Sequence, residues 1–125
     1  MTGGFDGQCG TDSIEILKMT QYPLQWNMFR GKLPVKLSSH VSIFYQDKLY
    51  VIGGHNWNEK KTSDIIYELD LAAPYAAKIL ARMPLARESH RAEIINGKRF
   101  ILGGTTTGYT KDAIAHVQDC DFVTN

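Results

Sequence analysis

Gly103, Gly108 and Thr110 stand at the spacing of a phosphate-binding loop, G-x-x-x-x-G-K-[ST]. Such a loop cradles an anion with backbone N–H groups at the start of a helix and supplies a lysine as counter-charge. Tyr109 occupies the lysine position here, so the charge is missing. Two Ser-His pairs, Ser39-His40 and Ser89-His90, place a hydroxyl nucleophile next to a base. On a strand, adjacent side chains point to opposite faces, which opposes a hydrogen-bonded dyad. A metal needs three or four converging ligands. The histidines are His40, His55, His90 and His116, and neither Cys9 nor Cys120 joins them at ligand spacing. No metal and no cofactor are expected. Asp119 and Asp121 sit near the end of the chain and lack the companions that general acid/base chemistry requires.

The elements that position these residues come from an internal repeat, which changes the meaning of every motif within it. Gly-Gly recurs at Gly3-Gly4, Gly53-Gly54 and Gly103-Gly104, a constant step of fifty. The second and third pairs end apolar runs, "LYVIGG" and "RFILGG". The same step carries Leu33-Pro34 onto Met83-Pro84, Ser39-His40 onto Ser89-His90, and Tyr50-Val51-Ile52 onto Phe100-Ile101-Leu102. The phosphate-loop lookalike is therefore a copy of a repeated corner. After each corner and a polar loop, an Asp opens an apolar segment: "DSIEIL" from Asp12, "DIIYEL" from Asp64 and "DAIAHV" from Asp112. Repetition at His40 and His90 argues for a structural task performed once per repeat.

Each segment reads as a strand. "HVSIFYQ" and "KLYVIGG" are rich in β-branched and aromatic residues. Asn96-Gly97, between their counterparts in the third repeat, is a strong two-residue hairpin signal because both positions need positive φ. "AAKILARM" follows as a weaker fourth strand, since its alanines would also suit a helix. Four strands per fifty residues is the arithmetic of a β-propeller blade.

Length and charge narrow the functions. The chain has 125 residues, enough for one small domain. Fourteen basic and thirteen acidic residues leave a formal charge of +1, with no basic footprint for nucleic acid or an anionic membrane. Apolar runs are far shorter than a membrane span, and Met1 to Gly4 shows no basic-then-apolar signal pattern. A cytoplasmic protein with two free thiols is expected.

Together, Arg87-x-x-His90, an apolar strand, Asn96-Gly97, an aromatic at Phe100 or Tyr50, Gly-Gly, a variable loop, Asp64-Ile65-Ile66-Tyr67 and Leu80-x-x-Met83-Pro84 resemble the kelch repeat. The resemblance implies an all-β fold: a partial kelch-type β-propeller of about two and a half blades of four antiparallel strands. Its blade segments run over about 1–34, 35–84 and 85–125. Gly3, Gly4, Gly53, Gly54, Gly103 and Gly104 then pack at the ends of second strands. Two departures stand out: the outer-strand Trp is present as Trp26 but is replaced near Ala76 or Ala77, and Leu37 occupies the position of Arg87. The strands supplied are two, four and three per blade, which leaves blades incomplete. The remaining blades are expected from a longer chain, or from self-association if this one stands alone.

The resemblance further implies a protein-protein interaction module, such as the substrate-recognition part of a ubiquitin ligase adaptor or a cytoskeletal scaffold. The competing readings are a fragment of a kelch-fold enzyme, of the copper-radical oxidase or sugar mutarotase type, and an inactive orphan fragment. No catalytic residue is assigned, because the fold's enzymes need groups converging on the channel from several blades. Partner contacts are expected from the loop His55, Asn56, Trp57 and Asn58, from Arg87 and Glu88 at the entry to an inner strand, and from Tyr109. Trp57 is either an interface anchor or a ring folded back onto its own blade. Arg87 either forks onto an acidic group of the partner or makes a structural ion pair. Tyr109 is either an added aromatic contact or an ordinary loop residue.

Overall fold

The computed structural model describes residues 1–106 and 117–121, and among these it is all strand and loop. β1 (Glu15–Leu17) pairs antiparallel with β2 (Trp26–Met28), and β3 (Leu37–Ser38) leads into a meander. The meander runs through β4 (Val41–Tyr45) and β5 (Lys48–Ile52). It is interrupted by the short hairpin of β6 (His55–Asn56) and β7 (Lys61–Thr62), and completed by β8 (Ile65–Asp70) and β9 (Ala77–Arg82). Sheet order is β4-β5-β8-β9, antiparallel throughout, so "AAKILARM" is a strand despite its alanines. β10 (Arg91–Ile95), β11 (Lys98–Leu102) and β12 (Val117–Asp121) form a third antiparallel sheet, and β3, β6 and β7 form a fourth. β12 shares only Val117 with the "DAIAHV" segment expected to be its strand; residues 112–116, including His116, lie outside the described residues.

The hairpins follow the turn chemistry. Asn96 and Gly97 have φ of 53° and 77°, both in the left-handed region that a two-residue hairpin needs. Gln46 and Asp47 make the same turn, with φ of 49° and 63°, although neither residue type announces it. Between Ile66 and Tyr67 the pairing with β9 shifts register, leaving Leu80 as the extra residue of a bulge.

The meander is buried on both faces, which explains why "LYVI" is apolar at every position rather than alternating. Leu49 and Val51 of β5, with Tyr67 and Leu69 of β8, join Ile14, Leu33 and Leu37 from the preceding repeat side. Ile52 and Ile66, one residue out of phase, join Met83 and Ile101 on the other face. Each fully buried aliphatic side chain contributes roughly 1.5–3 kcal/mol. β9 lies at the sheet edge and is largely exposed.

Backbone hydrogen bonds between repeats copy themselves at the fifty-residue step. The Gly4 amide donates to the Leu37 carbonyl at 2.8 Å and the Gly54 amide to the Arg87 carbonyl at 2.7 Å. The Leu33 amide donates to the Asp12 carbonyl at 2.8 Å and the Met83 amide to the Asp64 carbonyl at 2.7 Å. Each Gly-Gly corner is thus stitched to the strand entry of the next repeat. Among the described residues no helix is long and apolar enough to cross a membrane.

Candidate binding site on the loop side

The loop from His55 to Thr62 is shaped by its own asparagines. Asn56 Oδ1 accepts from the amides of Asn58 and Glu59 at 2.9 and 3.0 Å, a local turn that keeps this side chain buried. Asn58 Oδ1 accepts from the Lys36 amide at 2.8 Å, while the Trp57 amide donates to the Lys36 carbonyl at 2.9 Å. Asn56 and Asn58, expected as partner contacts, therefore spend their carbonyl oxygens inside the loop and on its anchor.

Those anchors hold the Trp57 ring over the corner of the first repeat. Its Nε1 donates to Ser38 Oγ at 2.8 Å, and the ring stacks on Phe5 with centroids 5.3 Å apart and planes 25° from parallel. The imidazole of His55 meets its edge at 4.9 Å. Gly10 lies beneath the indole so closely that any side chain there would collide with it. The Phe5 loop is held in turn by Asp6, whose Oδ1 accepts from the amides of Gln8 and Cys9 at 2.9 and 3.0 Å. The Cys9 and Gln8 bonds hold the Asp6 carboxyl below its ordinary range. Trp57 is thus half-buried packing and, at the same time, a wall.

Glu88 completes the arrangement from the next repeat. Its Oε2 accepts from Thr62 Oγ1 at 2.8 Å and lies 3.4 Å from His55 Nδ1. Its backbone bridges Thr105 in both directions at 2.9 Å, which fixes the carboxylate relative to the third corner. Gly4, Phe5, Ser38, Ser39, His55, Trp57 and Glu88 line one open pocket of about 490 Å³. His55, Trp57 and Glu88 were named from sequence; Phe5, Ser38, Ser39 and Thr62 were not. Those four come from other repeats or the far side of the hairpin, and no local pattern marks them.

Arg87 is elsewhere. It was expected to face a channel mouth and hold an acidic group, but its side chain is fully buried and Nη1 donates to the Gly103 carbonyl at 3.1 Å. It fills the slot that Leu37 fills one repeat earlier, facing the corner glycines rather than solvent. Tyr109 lies outside the described residues.

The Ser-His pairs do not sit on strands as expected. Ser39 and Ser89 adopt left-handed φ of 55° and 56° immediately before β4 and β10. His40 Nε2 hydrogen-bonds with Thr2 Oγ1 at 2.9 Å, and His40 Nδ1 has no partner. Neither ring nitrogen of His90 makes a well-formed hydrogen bond. No Ser-His hydrogen bond therefore forms at either pair. Burial lowers the His40 imidazole below its ordinary value and drives that of His90 down to about 4. Among the described residues no three His, Cys, Asp or Glu side chains gather as metal ligands.

Stacked antiparallel sheets stitched at repeated glycine corners define the class of fold. The solved structure of YjhT shares that fold: the two superpose with a TM-score of 0.66 at 19% sequence identity. The match covers 85% of this chain and 34% of YjhT, so the chain spans about a third of that protein's length. No protein-family model and no curated protein matches the chain.

Proposed function

We propose that the chain is a consecutive part of a kelch-type β-propeller and serves as a protein-interaction module. The meander β4-β5-β8-β9 is read as one whole blade, with the flanking sheets as parts of its neighbours. The fifty-residue step of the inter-repeat hydrogen bonds supports stacking of like units around an axis. The remaining blades would come from a longer chain.

One observation carries the functional part. The loop-side pocket draws side chains from three successive repeats: Phe5 from the first, Ser38 to Trp57 from the second, and Glu88 from the third. Loops that vary in chemistry while their scaffold repeats make a recognition surface. An exposed aromatic beside a half-buried indole is the kind of anchor that dominates interface energies.

Panning a random linear-peptide display library against the purified chain tests the reading. Peptides should enrich, and the strongest should bind the Phe5→Ser variant about tenfold or more weakly. Phe5 is exposed, so its replacement should leave the melting temperature within a few degrees of the parent. No enrichment, or equal binding to Phe5→Ser, would overturn the proposal.

A further inference from the structure

We infer that the loop-side pocket recognises a cationic side chain, Lys or Arg, of a protein partner. The inference rests on the interaction reading and deepens it by giving the ligand a charge.

The pocket has an ionised acceptor and no matching cation. Among the residues lining it there is neither Lys nor Arg, and Glu88 supplies the one carboxylate. Its side chain retains only 11% exposure. A carboxylate offers about four lone-pair sites, and the two contacts that Glu88 makes both fall on Oε2. Oε1 makes no hydrogen bond among the described residues. A largely desolvated, half-used carboxylate gains most from a donor that also carries positive charge.

The walls suit the rest of such a side chain. Phe5 and Trp57 stack into a continuous aromatic surface beside the carboxylate. The methylene stem of Lys or Arg packs on such a surface, and its charged head is attracted to the ring faces. The pocket volume of about 490 Å³ falls within the range of small-ligand sites.

Competing ligands fit less well. An anion would meet Glu88 directly. A sugar presents hydroxyls that need donors as well as acceptors, but the indole N–H of Trp57 is already spent on Ser38 Oγ. The imidazole of His55 is likewise turned to Glu88.

The peptides from the display selection provide the test. Lys or Arg should be enriched at one position, and replacing it by norleucine or citrulline should weaken binding to the unaltered chain about tenfold or more. Glu88→Gln keeps the shape of the acceptor and removes its charge. Against that variant the basic peptide and its neutral analogue should bind alike. Enriched peptides with no basic position, yet still sensitive to Phe5→Ser, would overturn the cation inference while leaving the interaction reading standing. Absence of any enriched peptide overturns both, as does binding of oligosaccharides on a glycan array in place of peptides. If Glu88→Gln loses the basic peptide and the neutral analogue equally, Glu88 is a prop for the pocket and the inference falls. Should Glu88→Gln not fold, the peptide-side replacement decides the matter on the parent chain.

Discussion

Two corners of the molecule are built on the same backbone and filled with different chemistry. At the first, a Cβ on Gly3 would lie 2.6 Å from the Leu37 carbonyl oxygen, 2.7 Å from His40 Cε1 and 3.2 Å from Leu33 Cδ1. At the second, a Cβ on Gly53 would lie 2.5 Å from the Arg87 carbonyl oxygen, 2.9 Å from His90 Cε1 and 3.0 Å from Met83 Cε. The lining atoms correspond one for one, fifty residues apart. Only the side chains differ: Leu37 against Arg87 in the buried slot, and Thr2 against Ile52 beneath the histidine. Glycine amides and facing carbonyls hold the corner, while the slot accepts either an aliphatic or a guanidinium group. Chemistry that looks functional in the sequence, Arg87-x-x-His90, is spent on packing sheets together. The open chemistry has moved one residue on, to Glu88.

The largest effect should come from testing the shared part. Gly53 has φ of 60° as well as the backbone oxygen in its way, so Gly53→Ala combines left-handed strain with a clash that no rotamer relieves. A loss of about 4 kcal/mol is expected in urea denaturation of the purified chain. Gly4 provides the contrast: its φ is 111°, but nothing lies within 4 Å of an added Cβ. Gly4→Ala should cost about 1 kcal/mol from dihedral strain alone. If the two variants proved equally stable, close approach at the corner would not be what requires glycine.

Next in size is the response to acid, which should expose the difference between the histidines. His90 is held at about 4 chiefly by burial, opposed in part by the Ile52 carbonyl and reinforced by the charges of Arg87, His40 and Arg91. Below pH 6.5 the unfolded chain protonates this imidazole and the folded chain does not. The unfolded state then binds more protons, and stability falls as pH drops from 6.5 to about 4. Below that both states are protonated and the loss from this group levels off. The full loss is on the order of 3 kcal/mol. His40 shifts in the same direction, with burial as the main cause and Thr2 opposing it. Thr2→Val removes the hydroxyl that partners His40, leaving the first corner like the second, so its acid sensitivity should exceed that of the parent. Denaturant midpoints between pH 7.5 and 4.5 check both statements, and a flat profile in the parent would show that His90 is solvated enough to titrate normally.

How far the sequence reveals this arrangement depends on the range of the forces involved. Gly-Gly spacing and the Asn96-Gly97 turn are local demands on φ, so both are legible directly. Gln46-Asp47 makes the same hairpin without a signal of its own, and is legible only through its position in the repeat. The fourth strand of the meander is chosen by pairing with β8 over the helical leaning of its alanines, a tertiary decision. Trp57 and Glu88 could be named singly, but that Trp57 lies on Phe5, and Glu88 against Thr62 and His55, depends on how successive sheets stack. Arg87 misleads because charge alone argues for the surface. The sign of its burial was present: Leu37 at the equivalent position marks a dry slot, and a repeat-equivalent pair shares its environment before it shares its chemistry.

That last point can be tested by making the second corner resemble the first. Arg87→Leu installs the residue that already fills the matching slot, so the strand entry and the Gly54-to-Arg87 backbone bond should survive. What disappears is the hydrogen bond from Nη1 to the Gly103 carbonyl, which leaves a sheltered acceptor without this donor. Orphaning such a group costs about 2 kcal/mol, smaller than the glycine clash because nothing is forced apart. Affinity for a basic display peptide should remain within about twofold of the parent, since Glu88, Phe5 and Trp57 are untouched. Urea denaturation and a peptide titration on the same sample read both quantities. Should stability hold while affinity falls about tenfold, the guanidinium belongs to the partner and not to the corner. The two corners would then differ in function as well as in filling.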